Sequence, residues 1–420
     1  MNTFTWIFLA ALSTGLALQL WLVARQAAHI RAHAQTVPAA FADRISLEQH
    51  QKAASYSLAR LGIERWDLVL GAIVLLGWTL AGGLNWLDRT IATLDLTRLW
   101  GGVALILSTV TIGALIELPL SIWGTFGVEA RYGFNRNTVA GFIKDKLLMV
   151  AVTLILGAPL LAVILWLMST ASGYWWLWAW LVWMGFSLLL TWAYPIWIAP
   201  LFNKFKPLED VSLRTRLEAL LQRCGFRSSG MFIMDGSRRS AHGNAYFTGF
   251  GANKRIVFFD TLLDGLEGDE VEAVLAHELG HFKRRHIIKM LTVSAIMSLC
   301  GLALLGWLSQ QAWFFSGLGV ERATPALALA LFMFVLPVFT VFVSPLMAAF
   351  SRRHEFEADD FAAEQTDPRH LISGLVKMYR DNASTLTPDP LYSAFHHSHP
   401  PAPVRIAHLS SKIPALITQE

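Results

Sequence analysis

Charge is what this 420-residue sequence has least of. Only 15% of its residues are charged, while 54% are hydrophobic and 17 are tryptophan. A water-soluble fold needs more polar surface than this supplies, so the composition excludes an ordinary soluble protein and points to one set in a lipid bilayer. The net charge is only +4 and no long basic run is present. Tracking of a nucleic-acid backbone is thereby excluded, and nucleic acid is not an expected partner. The two cysteines, Cys224 in a polar segment and Cys300 in an apolar one, supply no disulfide framework and read as free thiols. Internal repeats and low-complexity tracts are also missing. Nor does positive charge precede the first apolar stretch, MNTFTWIFLAALSTGLALQLWLVA at residues 1–24. Arg25 and Arg31 follow it instead, the reverse of a secretory signal, so a retained first span is expected.

What the sequence does have is long apolar runs, and a span needs about 20 such residues. They fall at 1–24, 68–87 and 99–116. Residues 147–203 carry no charge at all, enough for two spans that reverse at 169–173, and 290–307 and 326–350 add two more, seven in all. Lysine and arginine collect on one side of these spans: Arg25 to Arg65, Arg131 to Lys146, the segment from Lys204 to Lys289, and the C-terminal tail. Arg89, Arg98 and Arg322 fall on the other side. This bias places the N-terminus outside and the C-terminus in the cytoplasm. The expected organisation is therefore five spans with cytoplasmic loops over 1–203, a cytoplasmic segment at 204–289, two spans over 290–350, and a cytoplasmic segment at 351–420. The two large polar segments lie on the same side and can meet. Within 204–290, VSLRTRLEALLQRCG reads as a helix and GMFIMDG, NAYFTGF and KRIVFFD as strands, which suggests a small α/β domain. Glu117 interrupts the third run. It either walls a polar cavity or marks a helix end nearer the interface.

The stretch VLAHELGHFKRRH, residues 274–286, carries the chemistry. On a helix His277 and His281 are one turn apart and present both imidazoles to one ion, while Glu278 lies beside them without being a ligand. In a zinc hydrolase such a glutamate takes a proton from the attacking water. Acidic residues at 267, 269, 270 and 272 and basic residues at 283–285 suit the two ends of a helix dipole. The alternative is an interfacial helix with incidental histidines. Catalytic zinc usually takes three protein ligands. In SRRHEFEADDFAAEQ, Glu355 and Asp359 share a helical face; Glu355 can complete the set and Asp359 can support an imidazole or donate a proton, although Glu357, Asp360 and Glu364 lie close by. His396, His397, His399 and Arg405 in HHSHPPAPVR can donate to an oxyanion or can simply form a solvated loop. Asn244, Ala245, Tyr246 and Phe247 form either a peptide-receiving strand edge or an ordinary buried strand.

Taken together, TFGVEARYGFNRNT, PIWIAPLFNKFKPLED, SRRSAHGNAYFTGFGANKRIVFFDTLL, HELGH, SRRHEFEADDFA and HHSHPPAPVR resemble, in order, the type I CAAX prenyl endopeptidases. These are membrane-integral zinc metalloproteases. The resemblance implies a multi-pass α-helical membrane protein whose seven transmembrane helices enclose a water-filled chamber, with a small cytoplasmic α/β zinc-protease domain. It implies one zinc ion per chain held by His277, His281 and Glu355, and Glu278 as general base. Asp359 is then a supporting or proton-donating carboxylate, His399 with Arg405 beside it stabilises the tetrahedral intermediate, and Asn244 to Phe247 bind substrate. Glu117 would gain a wet surface to face. The family removes the last three residues of prenylated CAAX proteins, so a peptide or protein substrate, prenylated or not, is expected. The end PALITQE shows no lysine-based retrieval signal, and a bacterial inner membrane is expected over the endoplasmic reticulum. Three rivals stand beside this: an intramembrane protease of the site-2 type, a membrane quality-control zinc protease without prenyl specificity, and a channel, transporter or scaffold that keeps the motif.

Overall fold

The computed structural model describes residues 1–171, 173–226, 228–248 and 255–413. The tail PALITQE therefore lies outside the described residues, as do one residue of the 169–173 reversal and the ends of the NAYFTGF and KRIVFFD stretches.

Polar residues start the long apolar helices by accepting hydrogen bonds from backbone N–H groups that have no partner in the first turn. Asn2 caps α1 (Thr3–His33) and Ser46 caps α2 (Leu47–Trp78), each closing a reciprocal pair with the residue three further on. After α3 (Gly83–Ala92), Thr97 caps α4 (Arg98–Ile122), which runs on as a π-helical turn through Trp123–Glu129. Thr138 caps α5 (Val139–Thr170); α6 (Trp175–Ala193) continues through a second π turn into α7 (Ala199–Phe202). The reversal expected at 169–173 thus falls between α5 and α6.

The polar segment that follows holds α8 (Val211–Arg223), α9 (Asp260–Gly265) and α10 (Gly268–Lys283), and leads into the apolar α11 (His286–Leu308). Then come α12 (Ala312–Gly317), α13 (Pro325–Thr340), α14 (Ser344–Gln365), α15 (Pro368–Asp381), α16 (Pro390–His396) and α17 (Ala402–Ser410). Among the described residues five helices are long and apolar enough to cross a bilayer: Thr3–His33, Arg98–Glu129, Val139–Thr170, Trp175–Phe202 and His286–Leu308. Two bent pairs, α2 with α3 at 53° and α13 with α14 at 71°, bring the number to seven. The runs at 68–87 and 326–350 are therefore not single straight helices. The first breaks where Gly82 takes φ +82, and the second between Thr340 and Ser344. On α5, Leu154, Ile155, Val163 and Trp166 point outward, as they do where lipid replaces water as the solvent.

One apolar core joins these helices and includes Phe8, Leu105, Ile106, Leu165, Leu305 and Leu331. A second belongs to the polar segments. Leu217 and Leu220 of α8, Ile256 and Phe258 of the sheet, Leu275 and Leu279 of α10, Phe361 of α14 and Leu409 of α17 meet in it. Residues on both sides of α11 to α13 thus share one core. Each fully buried leucine there contributes about 1.5–3 kcal/mol.

The sheet runs β1 (Phe205–Pro207), β2 (Gly230–Met234), β4 (Arg255–Phe259), β3 (Ala245–Thr248), numbered along the chain. β2 and β4 are parallel, while β1 and β3 run antiparallel to their neighbours. Among the described residues β3 pairs with β4 alone, so its other edge is open.

Between α1, α2, α4 and the C-terminal segment lies a cavity of about 940 Å³ whose wall includes Glu64, Asp67, Glu117, Glu129, Tyr379 and His399. Glu117 also lines a neighbouring, apolar-walled cavity of about 640 Å³ between α1, α2, α4 and α13. Of its two readings, the cavity wall is the one the structure has.

Candidate metal centre and active site

Helix α10 opens with a reciprocal cap between Glu267 and Glu270, and Lys377 donates to Glu270 Oε2 at 2.8 Å. The helix lies against α14, and at Gly280 an added Cβ would stand 2.9 Å from Ala358 Cα. Only glycine lets the two backbones approach that closely.

This approach brings three donors together. His277 Nε2 and His281 Nε2 lie 3.3 Å apart, and Glu355 carboxylate oxygens stand 3.5 Å from the first and 3.4 Å from the second. One ligand atom from each residue falls within 4.8 Å of the others. Glu355 is buried and its Oε2 makes no hydrogen bond among the described residues. A buried carboxylate oxygen without a donor is costly unless a cation satisfies it. Two imidazole nitrogens and a carboxylate are also the donor set of a catalytic zinc site with one position left for water, so the residues fit a metal. The nearby carboxylates are engaged elsewhere. Glu357 pairs with His286 and Lys289, Asp360 with His408 and Lys412, and Glu364 with Arg284.

Asp359 is fully buried. Its Oδ1 lies 2.8 Å from His277 Nδ1, while Arg405 donates to it twice, from Nε at 2.9 Å and Nη2 at 2.5 Å. Burial and the Arg405 cation oppose a proton on His277, but the Asp359 contact and the nearby Glu355 carboxylate prevail and raise its pKa to about 9. Burial, with His277 alongside, pushes His281 down to about 3, so that ring is neutral. Burial raises the Glu278 carboxyl above its ordinary range, which suits a group that must accept a proton near neutrality.

His399 is mostly exposed on the cavity side, with Nε2 3.4 Å from Glu355 Oε1. Its loop is held by a residue the sequence reading did not single out. Arg352 donates to the carbonyls of Ser393, Ala394 and His397. Asp389 caps α16 and pairs with Arg25, which ties the same loop to α1. His396 and His397 stand away from the three donors, His396 against the Tyr392 ring. Tyr379, whose hydroxyl accepts from the Ala402 N–H at 3.2 Å, is a further cavity residue that no local pattern marks.

Asn244 precedes β3 and its carbonyl accepts from Phe259 N–H, while Ala245, Tyr246 and Phe247 lie in the strand. Tyr246 and Phe247 also line an apolar-walled cavity of about 520 Å³, together with Glu278, His281, Met290 and Glu355. The donor group therefore opens on a polar cavity through His399 and on an apolar one through Glu278. Cys224 and Cys300 are free thiols, the first buried and the second exposed.

Membrane-crossing helices joined to an HExxH helix, with a carboxylate from a later helix completing a group that can hold a metal, define a membrane metallopeptidase. Two family models match the chain: "CAAX prenyl protease N-terminal, five membrane helices" over residues 26–204 and "Peptidase family M48" over 207–413. A CAAX prenyl protease 1 homolog of Arabidopsis thaliana is 33% identical over 88% of this chain and 89% of its own. One from Mus musculus is 30% identical over 96% and 95%. The crystal structure of S. mikatae Ste24p superposes with a TM-score of 0.90 at 29% identity, covering 97% of this chain and 99% of that one. The chain belongs to the CAAX prenyl protease family of M48 peptidases and is an integral, multi-pass membrane metalloprotease. Membership implies a metal, and His277, His281 and Glu355 are the group that can hold it.

Proposed function

We propose that the chain hydrolyses peptide bonds near the C-terminus of prenylated proteins, with one zinc ion held by His277 Nε2, His281 Nε2 and Glu355. The observation that carries this is the buried Glu355 carboxylate, one oxygen facing each of the two histidine nitrogens and its Oε2 without a hydrogen bond among the described residues, with Glu278 beside it on an apolar cavity. When bound, zinc supplies Lewis-acid polarisation of the attacking water and the scissile carbonyl. Glu278 takes the proton of that water and returns it to the departing amine. Asp359, both of its oxygens already engaged, supports His277 by accepting from Nδ1, and Arg405 fixes Asp359. His399, exposed toward the polar cavity, donates to the developing oxyanion, with Arg405 behind it. The open edge of β3, with Asn244 before it, receives the extended substrate by backbone pairing, and an apolar residue or prenyl chain suits the adjoining cavity.

The metal centre is proposed to face the cytoplasm, on the strength of the lysine and arginine bias of the loops. The division at 203, 289 and 350 goes with that orientation. The expectation of a bacterial inner membrane rests on the sequence alone, since the relatives described above are eukaryotic.

Incubation of the purified protein with a farnesylated CAAX peptide and its unmodified counterpart tests the reading. Glu278→Ala should lose cleavage by about 10²- to 10⁴-fold. Cleavage by that variant at the parent rate would sink the mechanism. Equal cleavage of both peptides would sink prenyl specificity and favour a broader quality-control protease.

A further inference from the structure

The stretch VLAHELGHFKRRH ends in a histidine that the ligand set and the substrate strand leave unused. His286 is 3% exposed and opens α11 directly after Arg285, whose φ of +58 breaks the run from α10. The break turns the His286 ring back toward the metal centre. Its Nδ1 lies 3.0 Å from His281 Nδ1, and its Nε2 lies 3.0 Å from Glu357 Oε2. The ring stacks on His354 with centroids 4.1 Å apart and planes 12° from parallel. Lys289 and Arg353 hold Glu357 from outside, each at 3.3 Å.

The proton positions follow from donor and acceptor rules. The Glu357 carboxylate only accepts, so His286 Nε2 carries a hydrogen. A neutral imidazole protonated at Nε2 has its lone pair on Nδ1, and that lone pair needs a donor. The donor is His281 Nδ1–H, which leaves the His281 lone pair on Nε2, the atom 3.3 Å from His277 Nε2. Asp359 does the same for His277 through the Nδ1 contact at 2.8 Å. Each ligand histidine thus has its own orienting partner, one acting directly through a carboxylate and one through an intervening imidazole.

We propose that His286 is a positioning residue that, anchored by Glu357, fixes the tautomer and ring orientation of His281 and so sets the metal affinity of the site. The proposal rests on the reading of His281 as a ligand. Partners that orient a ligand histidine typically change metal affinity by about 10- to 100-fold when lost.

The test uses the full-length protein in detergent, with zinc alone as the probe and its affinity read by competition with a chromogenic chelator. His286→Phe keeps an aromatic ring against His354 but removes both hydrogen bonds. His286→Gln restores an acceptor toward His281 and a donor toward Glu357. The expected result is zinc binding about 10- to 100-fold weaker in His286→Phe, largely recovered in His286→Gln, and weakened in the same direction in Glu357→Ala. With zinc saturating, KM for a peptide should not move in any of them. Parent-like affinity in His286→Phe overturns the proposal, and so does an equal loss in the Phe and Gln variants, which would mean shape alone matters. Should His286→Phe fail to fold, Glu357→Ala decides through a half-buried surface position: unchanged affinity there overturns the relay. His281→Ala separates the two readings: zinc lost there together with parent affinity in His286→Phe overturns the relay alone, whereas zinc retained there overturns the ligand assignment and the relay with it.

Discussion

Replacing Arg405 by methionine should be among the most damaging single changes in the peptidase part. Asp359 is 0% exposed and accepts three hydrogen bonds, two of them from Arg405. Arg405→Met removes both and leaves a buried carboxylate with His277 as its main donor. Losing one partner of a buried ion pair costs about 3–5 kcal/mol, and two charge-assisted hydrogen bonds at about 1.5–3 kcal/mol each lead to the same range. Asp359→Leu strands Arg405 in turn, with Glu355 Oε2 at 3.7 Å as its remaining anion. The double variant removes both charges and should recover all but about 1–2 kcal/mol, because an apolar pair of similar volume avoids the desolvation cost. With about 3–5 kcal/mol lost in each single variant and about 1–2 kcal/mol in the double, a coupling energy of about 4 kcal/mol or more is expected from the cycle. Chemical denaturation of the metal-free protein in detergent measures it without linkage to metal binding. Zinc affinity should behave differently: the double variant stays weak, since His277 has lost its acceptor whatever the stability. Additive single effects, within about 0.5 kcal/mol, would refute the claim that Asp359 and Arg405 form one closed unit.

Gly280→Ala should cost about 1–3 kcal/mol and loosen zinc, because the new methyl meets the Ala358 backbone and must push α14, with Glu355, away from the histidines; a variant with parent affinity would show that the helix contact does not govern the site. Lys377→Met should destabilise the protein at neutral pH by about 1–2 kcal/mol, discounted for the partial exposure of the lysine, since it leaves Glu270 buried at 4% exposure. Burial pushes the Glu270 carboxyl up, but Lys377, Ser373 and the Glu267 N–H prevail and hold it below the usual range. A depressed folded-state pKa stabilises above the unfolded value and is lost as pH falls through the folded one, so the gap between parent and variant should close as pH falls below the ordinary glutamate range. Denaturation profiles across that window check it, and a gap that widens in acid would contradict the assignment.

The membrane part was legible where hydropathy alone decides the outcome. The charge-free run at 147–203 contains two helices that reverse between Thr170 and Trp175, as its length requires. Hydropathy does not register backbone breaks, and the runs at 68–87 and 326–350 hid them. The left-handed Gly82 and the 71° bend after Thr340 cost no hydrophobicity, so an averaging window passes over both. The bends matter nonetheless, because the one after α13 redirects α14 and carries Glu355 toward α10.

The metal centre shows the same division between local and distant causes. His277, Glu278 and His281 were readable because one helical turn sets their relation, with no other part of the chain involved. Glu355 was only weakly favoured over its neighbours by spacing and was singled out by the family resemblance, since the choice depends on the register of α14 against α10. Gly280 sets that register: its missing side chain allows Ala358 to approach, which places the residue three positions earlier opposite the two imidazoles and the residue one position later beneath His277. Glu357, two positions on from Glu355, faces His286 instead. A glycine inside HELGH thus separates the proposed ligand from its acidic neighbours on a helix almost eighty residues away. Single-sequence spacing carries no trace of that contact, because it belongs to the pair of helices and to neither alone.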